Sequence, residues 1–130
     1  MTDRTARLLL AASAIGGAVA VAAGAFGAHA LRDAVTPERL EVWRTAAAYG
    51  LAHAVAGAFA ASRPGVWARR AAALFLAGAA VFSGSLYALV LLDAAWLGAV
   101  TPLGGVAFIA GWLALATSAL REPTGPHGRA

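Results

Sequence analysis

The sequence contains no cysteine and no lysine, and only 12% of its 130 residues are charged. Without cysteine, the chain can form no disulfide, no thiol nucleophile and no Cys-ligated zinc or iron–sulfur centre. The hydrophobic fraction is 61%, whereas soluble domains are usually about 45–50% apolar and about 25% charged. A chain of this length has room for one domain, which leaves too much surface exposed to hide this apolar area from water. The composition therefore predicts an integral membrane protein.

The basic residues are ten arginines, and the formal net charge is +4. They stand singly or in pairs between apolar stretches and are not interleaved with aromatic residues along one face. This pattern does not indicate nucleic-acid binding, so we expect no nucleic-acid partner. It is typical of the charged flanks of membrane spans, which makes the lipid bilayer the expected partner.

The apolar stretches predict an all-α fold, a four-helix bundle that crosses the membrane four times. A helix rises 1.5 Å per residue, so the first stretch, of about 24 residues, extends for about 36 Å and exceeds the hydrocarbon core of about 30 Å. Thr36–Pro37 and Thr101–Pro102 are typical of helix starts. One domain, residues 1–120, is predicted to contain spans at 8–31, 43–61, 71–92 and 102–120, and the polar tail 121–130 is predicted to be disordered.

An alternative for the first span is a cleaved signal peptide, because Ala28-His29-Ala30 resembles a cleavage site. Arg4 and Arg7 would then form its basic N-terminal region. The apolar stretch is longer than the about 7–15 residues of a signal peptide, and three more spans follow, so the membrane span is favoured.

The positions of arginine predict the orientation of the spans. Seven arginines flank the N-terminus, the second loop and the tail, whereas three lie in the first loop and none in the third. Since basic flanks remain in the cytoplasm, both termini are predicted to be cytoplasmic, in a bacterial inner (plasma) membrane. Asp93, at the outer end of the third span, is expected to pair with Arg32 or Arg44.

Glycine residues within the spans predict close helix packing. Glycine weakens a helix, so its presence there needs a packing reason, and small residues let membrane helices approach closely. In the first span, small residues at every fourth position form a continuous ridge. The residues expected to pack are Gly16, Gly24, Gly27, Gly104, Gly105 and Gly111.

Polar side chains within the spans concentrate in the outer half and at the midplane. Thr45, Tyr49 and His53 are spaced by four residues along the second helix, which predicts one shared face. The expected polar constellation is His29, Thr45, Tyr49, His53, Ser83, Tyr87 and Thr101. Two interpretations stay open: interhelical hydrogen bonds that hold the bundle together, or a polar cavity open to the outside that binds a small solute or handles protons.

The two histidines of this constellation are expected at different depths. At 1.5 Å per residue, His29 and His53 differ in depth by about 9 Å, which is too far for both to bind one metal or haem iron without a strong tilt. His29 is therefore expected to lie closer to Tyr49 than to His53. Zinc needs three or four ligands, and only Asp93 adds to the two histidines. No nucleophile–base pair is present either, so we expect no metal, no cofactor and no enzymatic activity.

Four segments of the chain together resemble the YgdD-like family of small inner-membrane proteins. They are, in order, GAFGAHAL from Gly24, W-R-T-A-x-x-Y-x-x-x-H-A from Trp43, F-S-G-S-L-Y from Phe82, and T-P-x-G-G-x-x-F-x-x-G-W from Thr101. The resemblance implies a four-helix membrane protein of unknown function, and it implies no reaction. It singles out Gly24, Phe26, Gly27, His29, Trp43, Thr45, Tyr49, His53, Ser83, Gly84, Ser85, Tyr87, Thr101, Pro102, Gly104 and Gly105.

The sequence thus favours a non-enzymatic membrane protein whose biochemical role it does not specify. One interpretation is a protein that binds or transports a small solute, ion or lipid through a polar cavity in the outer half. The alternative is an accessory or assembly subunit of a membrane complex, whose polar residues are purely structural. A homo-oligomer or a membrane-protein partner is possible in either case, and a membrane enzyme is a third interpretation.

Overall fold

The computed structural model describes residues 2–121, which form four α-helices and one short 3₁₀ helix, with no strand among them. The elements are α1 (Thr2–His29), α2 (Pro37–Ala61), α3 (Val66–Leu92), the 3₁₀ segment Ala95–Ala99 and α4 (Thr101–Arg121). The prediction of an all-α protein with four helices is confirmed. Arg121 ends α4 and does not begin the tail, and the rest of the predicted disordered tail lies outside the described residues.

Local signals determine where the helices begin and end. Thr36 accepts a hydrogen bond from the backbone N–H of Arg39 at 3.2 Å and is thus the N-cap of α2, with Pro37 as its first residue. Gly65, just before α3, has a φ of 99°, which glycine adopts without steric penalty. Asp93 ends α3 in the left-handed region, with a φ of 49°.

The helices run up and down and pack in chain order. α1 packs against α2, α2 against α3, and α3 against α4, while α1 also touches α3. The antiparallel register of α1 and α2 is visible in facing pairs, because Gly27 lies against Trp43 and Ser13 lies against Gly57. The bundle therefore has an arginine-rich end, with the start of α1, the end of α4 and the α2–α3 connection. At the opposite end, the loop end, lie the α1–α2 and α3–α4 connections.

Three segments are long and apolar enough to span a membrane, namely Arg4–His29, Val66–Leu92 and Ala95–Arg121. α2 has 25 residues, or about 37 Å at 1.5 Å per residue. Polar residues such as Arg44 and His53 lower its hydropathy, and α1 and α3 cover much of its surface. The four-span topology and the cytoplasmic position of both ends stay predictions.

Two clusters of buried apolar residues form the core. The first contains Phe75 and Phe108 among alanines of α2, α3 and α4, and it extends towards the arginine-rich end. The second lies near the loop end, and we call it the loop-end cluster; it consists of Leu31, Leu40, Trp43, Leu89 and Val90. Alanine dominates the first cluster because four helices of this narrow bundle leave space for few large side chains.

Close packing of α3 and α4 depends on two of the predicted glycines. A Cβ added at Gly104 would overlap the backbone N of Phe82 and would lie 2.7 Å from its Cα, so the two backbones touch. A Cβ added at Gly111 would lie 2.7 Å from the ring of Phe75. Gly105 does not pack as predicted, because no atom would lie within 4 Å of its Cβ. One residue turns an α-helix by about 100°, which directs Gly105 away from α3.

The glycines of α1 face α2 at less uniform distances than the predicted ridge suggests. A Cβ added at Gly27 would lie 2.7 Å from Nε1 of Trp43, which leaves no room for a methyl group. At Gly16 and Gly24 the nearest atom would lie 3.9 Å away, which is ordinary van der Waals contact. Alanine would therefore fit at these two positions, and only Gly27 requires a glycine.

Candidate functional site

His53 lies on α2 in the middle of the bundle and is only 7% exposed. Its Nε2 accepts a hydrogen bond from the Nε1–H of Trp112 at 3.1 Å. Its Nδ1 lies 2.8 Å from the backbone carbonyl oxygen of Tyr49. An indole N–H can only donate and a carbonyl can only accept, so this geometry assigns the neutral imidazole with its proton on Nδ1. Both ring nitrogens therefore have partners within the protein.

Aromatic rings from α2, α3 and α4 surround this imidazole. Phe108 stacks on it with a centroid distance of 3.5 Å and an interplanar angle of 11°. Phe75 lies 5.7 Å away and Tyr49 5.9 Å away. We call His53, Tyr49, Phe75, Phe108 and Trp112 the His53 cluster. Its histidine has no free nitrogen for a metal, and no group of three His, Asp or Glu residues suited to a metal occurs in residues 2–121.

Ser83, another predicted site residue, connects α3 to α2. Its hydroxyl donates a hydrogen bond to the backbone carbonyl of Ala46 at 2.7 Å, and the side chain is 5% exposed. Gly50 provides the space, since a Cβ added there would lie 3.1 Å from the hydroxyl oxygen. The serine thus satisfies its donor across a helix interface, as polar groups in a bilayer require.

Thr101 forms the corresponding connection between α4 and α3. Its hydroxyl lies 2.7 Å from the hydroxyl of Ser85, and both side chains are buried. A backbone carbonyl lies near each hydroxyl, that of Phe82 at 3.0 Å from Ser85 and that of Leu97 at 3.4 Å from Thr101. Because each hydroxyl has one proton, one of them donates to the other and only the second can donate to its carbonyl. Ser85 was outside the predicted constellation, although its spacing of two from Ser83 was visible in the sequence. Spacing within one helix could not show that Thr101 faces it.

We predict that Ser85→Ala and Thr101→Val each lower the free energy of unfolding by about 0.5–1.5 kcal/mol, the usual value of one hydrogen bond. Combined, they should cost less than the sum, with a coupling of about 0.6 kcal/mol, which is typical of hydrogen bonds between membrane helices. Denaturant unfolding in detergent measures these values. Thr117→Val is the control, because Thr117 bonds only to its own helix, at Leu113. Additive effects of the Ser85 and Thr101 changes would contradict the pairing.

Tyr87 packs between α2 and α3 near the loop end. Its ring packs against that of Trp43 at a centroid distance of 4.6 Å, with the two planes tilted by 53°. Trp43 donates its Nε1–H to the backbone carbonyl of Ala23 on α1 at 2.7 Å. The Tyr87 hydroxyl is buried and has no hydrogen-bond partner. The residue lines a mostly apolar groove of about 280 Å³ between α1 and α3, together with Ser83. Tyr87 therefore contributes mainly through its ring.

The other predicted members do not join one constellation. His29 is exposed at the end of α1, and its side chain has no hydrogen bond or ring contact with any of the residues 2–121. Thr45 is exposed on α2, and Tyr49 is the exposed edge of the His53 cluster, 48% exposed with its ring 5.9 Å from the imidazole. The seven predicted residues are thus divided among separate interfaces and the surface.

Charged residues at the loop end pair differently from the prediction. Asp93 forms its salt bridge with Arg39 at 2.9 Å, not with Arg32 or Arg44. Arg44 instead pairs with Glu41 on its own helix at 2.8 Å. Arg39 is the partner because it faces α3, where it also donates to a carbonyl in the last helical turn at 3.3 Å. Both pairs are exposed enough to contribute about 1 kcal/mol or less.

A polar hollow of about 630 Å³ lies at the same end. Asp33, Arg39 and Asp93 are among its lining residues. The loop-end cluster lies between this hollow and the buried hydrogen bonds, because Leu40 and Trp43 follow Arg39 along α2 before any buried polar group. The charged surface and the polar interior are therefore separated by packed apolar side chains.

Comparison with known proteins shows what the chain is similar to. Residues 23–105 match the family described as protein of unknown function (DUF423). The chain is 39% identical over 120 residues to the UPF0382 membrane protein YwdK of Bacillus subtilis (strain 168), covering 88% of this chain and 98% of the relative. It is 36% identical over 121 residues to the UPF0382 inner membrane protein YgdD of Escherichia coli (strain K12), covering 90% and 92%. No solved structure matches the chain.

Proposed function

The chain belongs to the DUF423 family of membrane proteins, and from this premise we propose that it is a non-enzymatic accessory or assembly subunit of a membrane complex. One observation carries the proposal: three of the buried polar side chains form hydrogen bonds that hold the helices together. Ser83, Thr101 and His53 all have partners on a neighbouring helix. Such groups stabilise a rigid body within the membrane.

Transport of a polar solute is less well supported. It requires polar side chains that face a water-filled space and can exchange their partners, because the hydrocarbon core offers no substitute for water. In this bundle the imidazole of His53 already has both of its partners. The loop-end cluster also separates the polar hollow from the groups below it. We therefore favour the accessory or assembly subunit, in which these polar residues are purely structural, over a transporter.

The outer surface of α4 supports a partner in the membrane. α4 packs mainly against α3, with α2 reaching it at Phe108 and Trp112. On its outer surface it exposes Leu103, Val106 and Ile109. Gly105 lies on α4 without any packing neighbour. Glycine weakens a helix, and a glycine with open space beside it allows a second helix to approach closely. A helix of another membrane protein, or of a second copy, would explain its presence.

Cysteine labelling tests whether the interior is dry, and the absence of native cysteine makes the test clean. In membrane vesicles, a membrane-impermeant maleimide should label Asp33→Cys, in the polar hollow, at least about tenfold faster than Ser83→Cys, which only local opening exposes. Labelling after denaturation in SDS is the control that both thiols react. Equally fast labelling at Ser83→Cys would mean that water reaches the midplane, and the transport interpretation would then replace our proposal.

A further inference from the structure

Two arginines from different helices meet at Trp67, near the arginine-rich end. The Cζ atom of Arg70, on α3, lies 4.7 Å from the centroid of the indole ring, and that of Arg121, in the last turn of α4, lies 5.3 Å from it. Cation–π attraction holds both guanidinium groups at this ring. Neither forms a salt bridge with any residue of the described chain. The pair is therefore a concentration of positive charge without a counter-ion among residues 2–121.

An apolar groove of about 520 Å³ begins at Trp67 and Arg70 and continues between α3 and α4 towards the middle of the bundle. Arg121 lies beside its entrance, at the ring of Trp67. Its walls include Ala73 and Leu74 of α3 and Ala110 and Leu113 of α4. The alanines keep the groove deep, because their methyl groups fill little of the space between the helices. Beyond Trp67 and Arg70 at its entrance, Thr117 is the one polar residue among those that line the groove. Its hydroxyl donates a hydrogen bond within its own helix, to Leu113.

We propose that this groove binds an anionic phospholipid, with the phosphate at Arg70 and Arg121 and an acyl chain along the alanines. Guanidinium groups bind phosphate through several charge-assisted hydrogen bonds. Tryptophan is enriched at the level of lipid headgroups in membrane proteins. Trp67 is the second residue of α3, at the end of a segment long and apolar enough to span a membrane. An amphiphile with a negative head and an apolar tail is the one occupant that satisfies both parts of the site.

Arg69 provides the matched control for this proposal. It is the neighbour of Arg70 on α3 but lines a different groove, next to the α2–α3 connection. Substituting it removes the same charge from the same end of the molecule. A general attraction between arginines and anionic lipid would make both substitutions equally harmful, whereas a specific site separates them.

Native mass spectrometry of the purified protein in non-ionic detergent tests the site, with phosphatidylglycerol as the probe and phosphatidylcholine as the uncharged comparison. We expect Arg70→Gln and Arg121→Gln each to weaken phosphatidylglycerol binding by about tenfold, equivalent to about 1.4 kcal/mol. Arg69→Gln should leave it within about twofold. Ala110→Phe fills the groove, keeps both charges and should also weaken binding. Circular dichroism must show unchanged helicity for each variant.

Three outcomes would overturn the proposal. Equal losses in Arg69→Gln and Arg70→Gln would mean non-specific charge attraction. Unchanged lipid binding in Ala110→Phe, together with displacement of the lipid by millimolar inorganic phosphate, would mean an anion site without a lipid chain. A dimer in the same spectra that becomes monomeric in Ala110→Phe would mean that a second copy fills the groove.

Discussion

Gly104→Ala is expected to lower the free energy of unfolding by about 1–3 kcal/mol, which is the usual penalty for overpacking. The added methyl group would overlap backbone atoms of Phe82, and a backbone cannot move aside as the end of a flexible side chain can. The helices would have to separate, which would also weaken the contact between Gly111 and Phe75 further along the same interface. Gly104→Leu should prevent α3 and α4 from packing at all.

Gly105→Ala is the control, because it makes the same change one residue away. No atom lies within 4 Å of the added Cβ, and alanine favours a helix by about 1 kcal/mol over glycine. This variant should therefore be as stable as the native protein or more stable. Thermal unfolding in detergent, followed by circular dichroism, compares the two. Similar losses in both variants would mean that the effect comes from the helix itself and would contradict the close approach of α3 and α4.

The sequence was sufficient to predict the four helices because bilayer thickness and hydropathy together fix their approximate positions. It could not predict which glycine of the Gly104–Gly105 pair packs. These helices are apolar around most of their circumference, so composition does not indicate how each is rotated about its axis. Adjacent residues differ by about 100° in direction, and a small error in that rotation exchanges their roles.

The seven polar residues predicted to lie together are divided among separate surfaces, for a related geometric reason. Counting residues from the ends of a helix predicts how deep each residue lies in the membrane, but it does not predict which side of the helix the residue is on. Four residues turn a helix by about 400°, so each step of four drifts by about 40°. Thr45 and His53, two such steps apart, thus point about 80° apart, and only His53 is buried. Its partner Trp112 was missed because an aromatic residue in a span is more often read as packing than as a hydrogen-bond donor.

His53→Leu is expected to lower the free energy of unfolding by about 2–4 kcal/mol, although leucine nearly preserves the volume. The substitution removes the stacking on Phe108, and it leaves the Nε1–H of Trp112 without its acceptor in an apolar environment. His29→Leu is the matched control. The His29 side chain is exposed and has no hydrogen bond or ring contact within the described part of the chain, so its loss should change stability by less than about 0.5 kcal/mol.

Adding Trp112→Phe to His53→Leu should recover about 1 kcal/mol or more, because the second change removes the donor that the first left unpaired. Removing both partners of a buried hydrogen bond is less harmful than removing one, and this asymmetry distinguishes a structural bond from general packing. Denaturant unfolding of the two single variants and the double variant completes the cycle. Purely additive losses would mean that the bond to Trp112 contributes nothing. A stable His53→Leu protein would remove the main support for a structural histidine and return His53 to consideration as a functional group.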